Sequence, residues 1–217
     1  MTVPNKIARS CYKDNVPKIV DPEARRLEIA EAVFRVIQRD GLAQASLRSV
    51  AEEAGLAIGS VRHYFGGHDE LIVFAMRALG DRLEARLAGH IPVLLDPATP
   101  RSRRREVTEA FLCELLPLTE QTRAEADVWL AFSAAAKNRP DLAEEATRMH
   151  EGVRFLVRRV LDGANEAGGL LGDLDLAVET ERLAALLDGL ALSAGRTSPE
   201  LMRTVLRRHL DSLRRPG

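Results

Sequence analysis

Residues 46–65 read Ser46-Leu-Arg-Ser-Val-Ala-Glu-Glu-Ala-Gly-Leu-Ala-Ile-Gly-Ser-Val-Arg-His-Tyr-Phe65, a pattern of two short helices joined by a tight turn. Ser46 suits a helix cap, because its hydroxyl accepts one of the free backbone N–H groups of the first turn. Leu47, Val50, Ala51 and Ala54 then share one helical face. Ala51 is small where a second helix must cross closely, and Gly55 stands where the first helix has to end in a left-handed conformation. Val61 and Phe65 are the apolar residues of the second helix. Its other side offers Ser60, Arg62, His63 and Tyr64, side chains able to meet phosphates or base edges. This is the arrangement that delivers a helix into the DNA major groove.

The flanks extend the pattern. Asp21-Pro22-Glu23 combines a cap residue, a proline at the first helical position and an acid in the first turn. Leu27, Ala30, Val33, Phe34 and Ile37 then form a stripe to be buried, and Gly41 stops the helix. Gly66-Gly67 breaks the chain after Phe65. A fourth helix follows, with Asp69 and Glu70 in its first turn and Leu71, Phe74, Ala75, Ala78 and Leu79 facing inward, and runs on through Leu83 and Leu87 to Pro92. Residues 1–20, with Lys6, Arg9, Lys13 and Lys18 among prolines and asparagines, read as a mobile, mildly basic arm. The arm is either inert, or a DNA-contacting segment, or the product of a start codon placed upstream of a true start near Val16.

Ile91–Pro100, with three prolines, punctuates the chain. Beyond it lie five more helical segments: Arg101–Leu116, Thr119–Ala136, Pro140–Gly163, Leu176–Ala194 and Pro199–Leu213. The basic cluster Arg101, Arg103, Arg104 and Arg105 reads as a solvated helix start rather than a second DNA patch. Period-two alternation is absent, so the fold expected is all-α with about nine helices. An N-terminal three-helix helix-turn-helix domain (residues 21–80) precedes a larger helical domain (residues 81–217) for ligand binding and dimerisation.

The composition agrees with this and excludes other classes. Aromatic residues are only 4% of the chain against 46% apolar overall, so leucine and alanine carry the packing. The net charge of −1 is compatible with operator reading only if the basic groups gather on one face. The stretch 21–80 itself holds more acids than bases, which keeps open a rival reading: a helical ligand-binding module with a vestigial DNA reader. Cys11 and Cys113 are far apart and fit a reducing cytoplasm. No run approaches the roughly 18 apolar residues of a membrane span, and no signal-peptide core opens the sequence. No membrane role, metal or cofactor is therefore expected. The five histidines are scattered without H-E-x-x-H, and no glycine-rich phosphate loop is present. Met149-His150-Glu151, the one local acid–base combination, is better explained as a solvated helix face, so no enzymatic activity is expected.

The second half needs a purpose, and physics suggests two. One is pairing, since a dimer sets two readers about 34–36 Å apart on the duplex. Leu183, Ala184, Leu187, Leu190 and Ala191, with Leu201 and Val205 on the last helix, are the candidate dimer surface, through a four-helix bundle; the alternative is that these stripes pack inside one subunit. Gly189, costly in mid-helix, fits a place where another helix or a ligand comes close. The other purpose is sensing: Cys113, Glu114, Trp129, Phe132, Met149 and Phe155 are the candidate walls of a cavity. If Trp129 and Phe132 face that cavity beside Glu114 or Asp127, a cationic effector is favoured through cation–π contact. For Trp129, plain core packing is an equal alternative.

Arg26-Leu-Glu-Ile-Ala-Glu-Ala-Val-Phe34, the stretch 46–65 and His68-Asp-Glu-Leu71 together resemble the DNA-binding half of the tetracycline-repressor (TetR) family. Trp129-Leu-Ala-Phe132, Asn138-Arg-Pro-Asp-Leu142 and Leu186-Leu-Asp-Gly-Leu190 resemble the ligand-binding half of its BetI-like branch, whose namesake answers to choline. The resemblance implies that Ser46 and Arg48 hold phosphate and that Ile58, Gly59, Ser60, Arg62, His63 and Tyr64 face the groove. Three positions depart from the family's usual choice. Arg62 replaces a tyrosine, His68 a phosphate-anchoring lysine, and Ala57 a Ser or Thr that caps the recognition helix. The lost cap costs about 1 kcal/mol, and the histidine makes DNA binding mildly pH-dependent. The function implied is a dimeric, ligand-responsive repressor of a palindromic double-stranded DNA operator, released by a small-molecule effector.

Overall fold

Helix ends follow the capping chemistry of the sequence. In the computed structural model, which describes residues 21–215, α1 spans Pro22–Asp40. Its cap Asp21 accepts the Glu23 N–H at 3.0 Å, and Gly41 ends it at φ +85°. A single 3₁₀ turn, Leu42–Gln44, leads to Ser46, which accepts the Ser49 N–H at 3.1 Å and starts α2 (Leu47–Glu53). Gly55 takes φ +66°, the left-handed conformation that favours glycine, and α3 (Ile58–Tyr64) follows. α4 spans His68–Ala88. The basic arm expected over residues 1–20 lies outside the described residues.

The remaining helices are α5 (Ile91–Leu95), α6 (Arg101–Cys113), α7 (Glu120–Ala136), α8 (Pro140–Glu166), α9 (Leu176–Leu192) and α10 (Pro199–Ser212). There are therefore ten α-helices among the described residues rather than nine, with no strand beyond a lone bridge from Leu170 to Arg214. The additional helix is α5. α4 stops at Ala88, short of Pro92, and Pro92 opens a new helix instead of ending the old one. A proline without an N–H is as well suited to the first helical turn as it is unfit for the interior.

Two cores organise the ten helices. The first gathers Val33 and Phe34 of α1, Val50 and Ala51 of α2, Val61 and Phe65 around α3, and Leu71 and Ala75 of α4. It continues without a break into Val128, Phe132 and Ala136 of α7 and Leu142 of α8. The first core thus extends past residue 80, and the reader helices are seated on α7 and α8. Leu27, expected in the buried stripe of α1, is 44% exposed. The second core joins Leu87, Phe111 and Leu112 to Val157, Leu161, Leu183, Leu187, Met202 and Leu206.

Polar ties bind α4 to the second half. Glu145 of α8, almost wholly buried, accepts Arg77 Nε at 2.9 Å and Arg148 Nη1 at 2.6 Å. Arg86 reaches both Glu114 (3.1 Å) and Glu125 (2.7 Å). At the N-terminal end of α4, Arg139 pairs with Asp69. No helix among the described residues is long and apolar enough to cross a membrane.

Candidate nucleic-acid interface and effector cleft

α2 and α3 bury one side and present the other. Val50, Ala51 and Val61 are buried, while Ser46, Arg48, Ala57, Ile58, Gly59, Ser60, Arg62 and His63 are exposed, and Tyr64 and His68 are half-buried. All ten expected DNA-facing residues therefore reach the surface of the reader. Gly59, Ser60, His63 and Tyr64 line a groove of about 420 Å³ together with Leu56 and Arg25. Arg25, in the first turn of α1, was not legible as a site residue, because only the packing of α1 across α3 brings it there.

Ion pairing divides the reader's arginines into two kinds. Arg35 and Arg39 of α1 both donate to Glu53 of α2, each at 2.7 Å, and hold that carboxyl below its usual range. They are structural. Arg48 and Arg62 take part in no ion pair among the described residues, so their charges remain available to phosphates or base edges. Arg26 stacks over Phe65 and Phe74, 5.0 and 4.4 Å from the ring centres, and fastens α1 to α3 and α4.

The three departures from the family's usual residues have visible local consequences. Ala57 provides no side-chain cap for α3. Arg62 points outward, exposed. His68 Nδ1 lies 3.0 Å from Asp69 Oδ1, so a carboxylate already partners this imidazole. That hydrogen bond, and then Arg139, hold the Asp69 carboxyl below its ordinary value.

The six candidate cavity residues do not converge. Phe132 is fully buried, and Trp129 and Met149 are packed against the same first core. Glu114 is occupied by Arg86 and by His90 (3.4 Å), and Cys113 sits against the second core, its thiol pushed up by burial. Of the six, only Phe155, 64% exposed, borders the large cleft. That cleft, of about 640 Å³, lies between α5, the start of α6, the second half of α8 and the end of α10. Leu94, Phe111, Leu156, Val160 and Leu210 supply its apolar walls. Three arginines of the cluster expected to be a solvated helix start, Arg101, Arg104 and Arg105, line it as well. No residue of α1–α4 does.

The candidate dimer stripe is redistributed too. Leu183, Ala184, Leu187, Leu190 and Ala191 are buried within the subunit, because this face of α9 closes the second core. Leu201 is 53% exposed and Val205 half-buried. The open face of α9 carries Val178, Ala185, Gly189 and Leu192 instead, with Val178 and Leu192 at 51% and 65% exposure.

Residues 29–73 match the family model for bacterial regulatory proteins of the tetR family, and residues 104–215 match the C-terminal domain of BetI-type transcriptional repressors. The chain belongs to the TetR family. As a TetR-family transcriptional regulator it is 36% identical over 202 residues to the HTH-type transcriptional regulator PksA of Bacillus subtilis (strain 168), covering 91% of this chain and 94% of that one. A transcriptional regulator from Rhodococcus sp. Rha1 superposes with a TM-score of 0.71 at 32% identity, covering 89% and 96%. A regulator from Saccharomonospora viridis, solved in complex with choline, superposes with a TM-score of 0.78 at 20% identity, covering 89% and 100%. At that identity the likeness is one of fold.

Proposed function

We propose that two copies of this TetR-family regulator bind a partly palindromic DNA operator in the cytoplasm and repress transcription until a small molecule enters the cleft. The observation that carries the DNA half is the exposed face of α2 and α3, where Arg48 and Arg62 are free of carboxylate partners among the described residues. Ser46 and Arg48 meet phosphate at the start of α2, while Ile58, Gly59, Ser60, Arg62, His63 and Tyr64 enter the groove. Ala57 and His68 flank the recognition helix. Pairing runs through the open faces of α9 and α10, where Val178, Ala185, Gly189, Leu192 and Leu201 leave apolar area exposed in a single subunit. A methyl group placed on Gly189 would meet no atom of the described residues within 4 Å beyond its own helix, which leaves room for a close-crossing partner helix.

Coupling between cleft and reader has two routes. α5 borders the cleft and continues directly from α4 through Gly89 and His90. α8 borders it near Leu156 and Val160 and holds α4 through Glu145–Arg77, about 16–22 Å back along the helix at 1.5 Å per residue. A molecule that spreads α5 from α8 therefore displaces α4 and changes the spacing of the two readers. Coupling of about 1–3 kcal/mol is ordinary for such a device.

The test is operator selection from random duplexes followed by mobility-shift titration. Arg48→Ala weakens all sequences about equally, and Arg62→Ala relaxes preference at one base position, by about 1–3 kcal/mol. Binding falls steeply with salt, as several phosphates are engaged. If neither substitution alters binding, the face is wrongly assigned. Binding insensitive to salt returns the chain to a ligand-binding module with a vestigial reader.

A further inference from the structure

We propose that the effector cleft takes an amphipathic anion, a carboxylate on an extended apolar body, rather than a cation. This rests on the effector-responsive function proposed above and specifies the chemical class of the effector. The volume of about 640 Å³ falls in the range that encloses a small organic ligand, and its walls are largely aliphatic and aromatic. The charged groups on those walls are of nearly one sign: six arginines against a single acid, Glu166.

What holds these arginines matters more than their number. Arg101 Nη2 donates to the Ala167 carbonyl at 2.8 Å, and Arg104 Nη2 to the carbonyls of Asp96 at 2.9 Å and Thr99 at 3.3 Å. Neutral carbonyls orient a guanidinium without cancelling its charge. Arg104 Nε is buried and has no hydrogen-bond partner among the described residues. Arg105 and Arg159 enter no ion pair among them either, whereas Arg214 is paired with Asp211. The positive potential of the cleft is therefore largely uncompensated by the described residues of the subunit.

The placement also runs against the helix it occupies. α6 begins with arginines and has no acid in its first turn, although the N-terminal end of a helix favours negative charge. Local rules are broken most often where function requires it. A carboxylate seated among these guanidinium forks satisfies both the side chains and the helix end, and its apolar body lies along Phe111, Leu156 and Val160. The same wall repels a quaternary ammonium such as choline. Trp129 and Phe132, the aromatic pair suited to a cation, are packed in the first core.

The experiment uses the full chain and three probes of equal length below their micelle-forming concentrations: dodecanoate, 1-dodecanol and dodecyltrimethylammonium, with choline as a fourth. Binding is read by calorimetry, and release from the selected operator by mobility shift. Dodecanoate is expected to bind at least about tenfold more tightly than dodecanol, the worth of a charge-assisted hydrogen bond, and the two cations not at all. Arg105→Gln combined with Arg159→Gln lowers dodecanoate affinity by about tenfold or more and leaves dodecanol unchanged. The corresponding double lysine variant retains dodecanoate binding, which separates loss of charge from loss of fold. Equal affinity for dodecanol and dodecanoate, preference for either cation, no binding of any probe, or a double glutamine variant with unaltered dodecanoate affinity each overturns the proposal. Dodecanoate binding with no DNA binding upholds the anion site and refutes the regulator function. DNA binding with no preference for the anion refutes the anion site alone.

Discussion

The reader and the cleft place their working groups on opposite sides of their helices. Around the first core, α2 and α3 bury Val50, Ala51 and Val61 and turn their polar side chains outward: Arg48 and Arg62 are exposed above that core. Around the cleft, α5, α6 and α8 turn functional groups toward one another and leave a gap between the helices. A convex site depends on one pair of helices being rigid. A concave site depends on how several distant helices are spaced, and it is the one able to respond to an occupant. The joint between the two is the seam where α7 and α8 complete the reader's own core.

That contrast can be broken most severely at Phe132, which is fully buried where α7 enters the first core. Phe132→Ala is expected to cost about 3–5 kcal/mol, by lost transfer energy and a residual cavity, read as a shift of the urea midpoint. A variant of undiminished stability but altered effector response would instead make Phe132 a ligand wall. Glu145→Ala is expected to cost about 2 kcal/mol, since it removes a buried carboxylate that accepts charge-assisted bonds from Arg77 and Arg148. Both arginines are half-exposed and recover water, which limits the loss. Because Glu145 ties α8 to α4, the same variant should bind operator yet release it less completely when effector is added. Full release would remove α8 from the coupling route.

The second core contributes a pH dependence. Burial, reinforced by Arg182 and opposed by Glu179, lowers the His209 pKa from its ordinary value of 6.5. A base with a depressed pKa in the folded state binds fewer protons there than when unfolded. Its stabilising contribution is complete above 6.5 and is lost as the pH falls through the lower, folded value. The melting temperature should therefore decline on acidification below 6.5, and His209→Gln should flatten that slope. An unchanged slope would place the titrating group elsewhere. The smallest effect belongs to the reader: Ala57→Ser supplies the absent cap of α3 and should stabilise by about 1 kcal/mol, visible as a higher melting temperature.

The convex site was legible because its signals are local. Asp21, Gly41, Ser46 and Gly55 act on neighbours within one turn, and each takes its expected place. The exposed face of α3 follows once Val61 and Phe65 are known to be buried. The concave site was not legible, because an apolar stripe states that a face is covered but not by what. The Leu183–Ala191 stripe is buried in its own subunit, and Trp129 and Phe132 pack into the core that α7 shares with the reader. Arg101, Arg103 and Arg105 are exposed, as a solvated helix start requires, and only the course of α8 and the end of α10 makes Arg101, Arg104 and Arg105 border a cleft as well. Pro92 fits the end of one helix or the beginning of another, and only the chain's turn at Gly89 and His90 decides.

Trp129 acquires a use from where it sits. It is the one tryptophan of the chain, half-buried against the core that α7 shares with the reader, its ring 6.1 Å from that of Phe132. Its ultraviolet emission therefore comes from a single place, the seam where α7 packs against the reader's core. The protein carries its own optical gauge at that seam, and needs no dye to report when the seam moves.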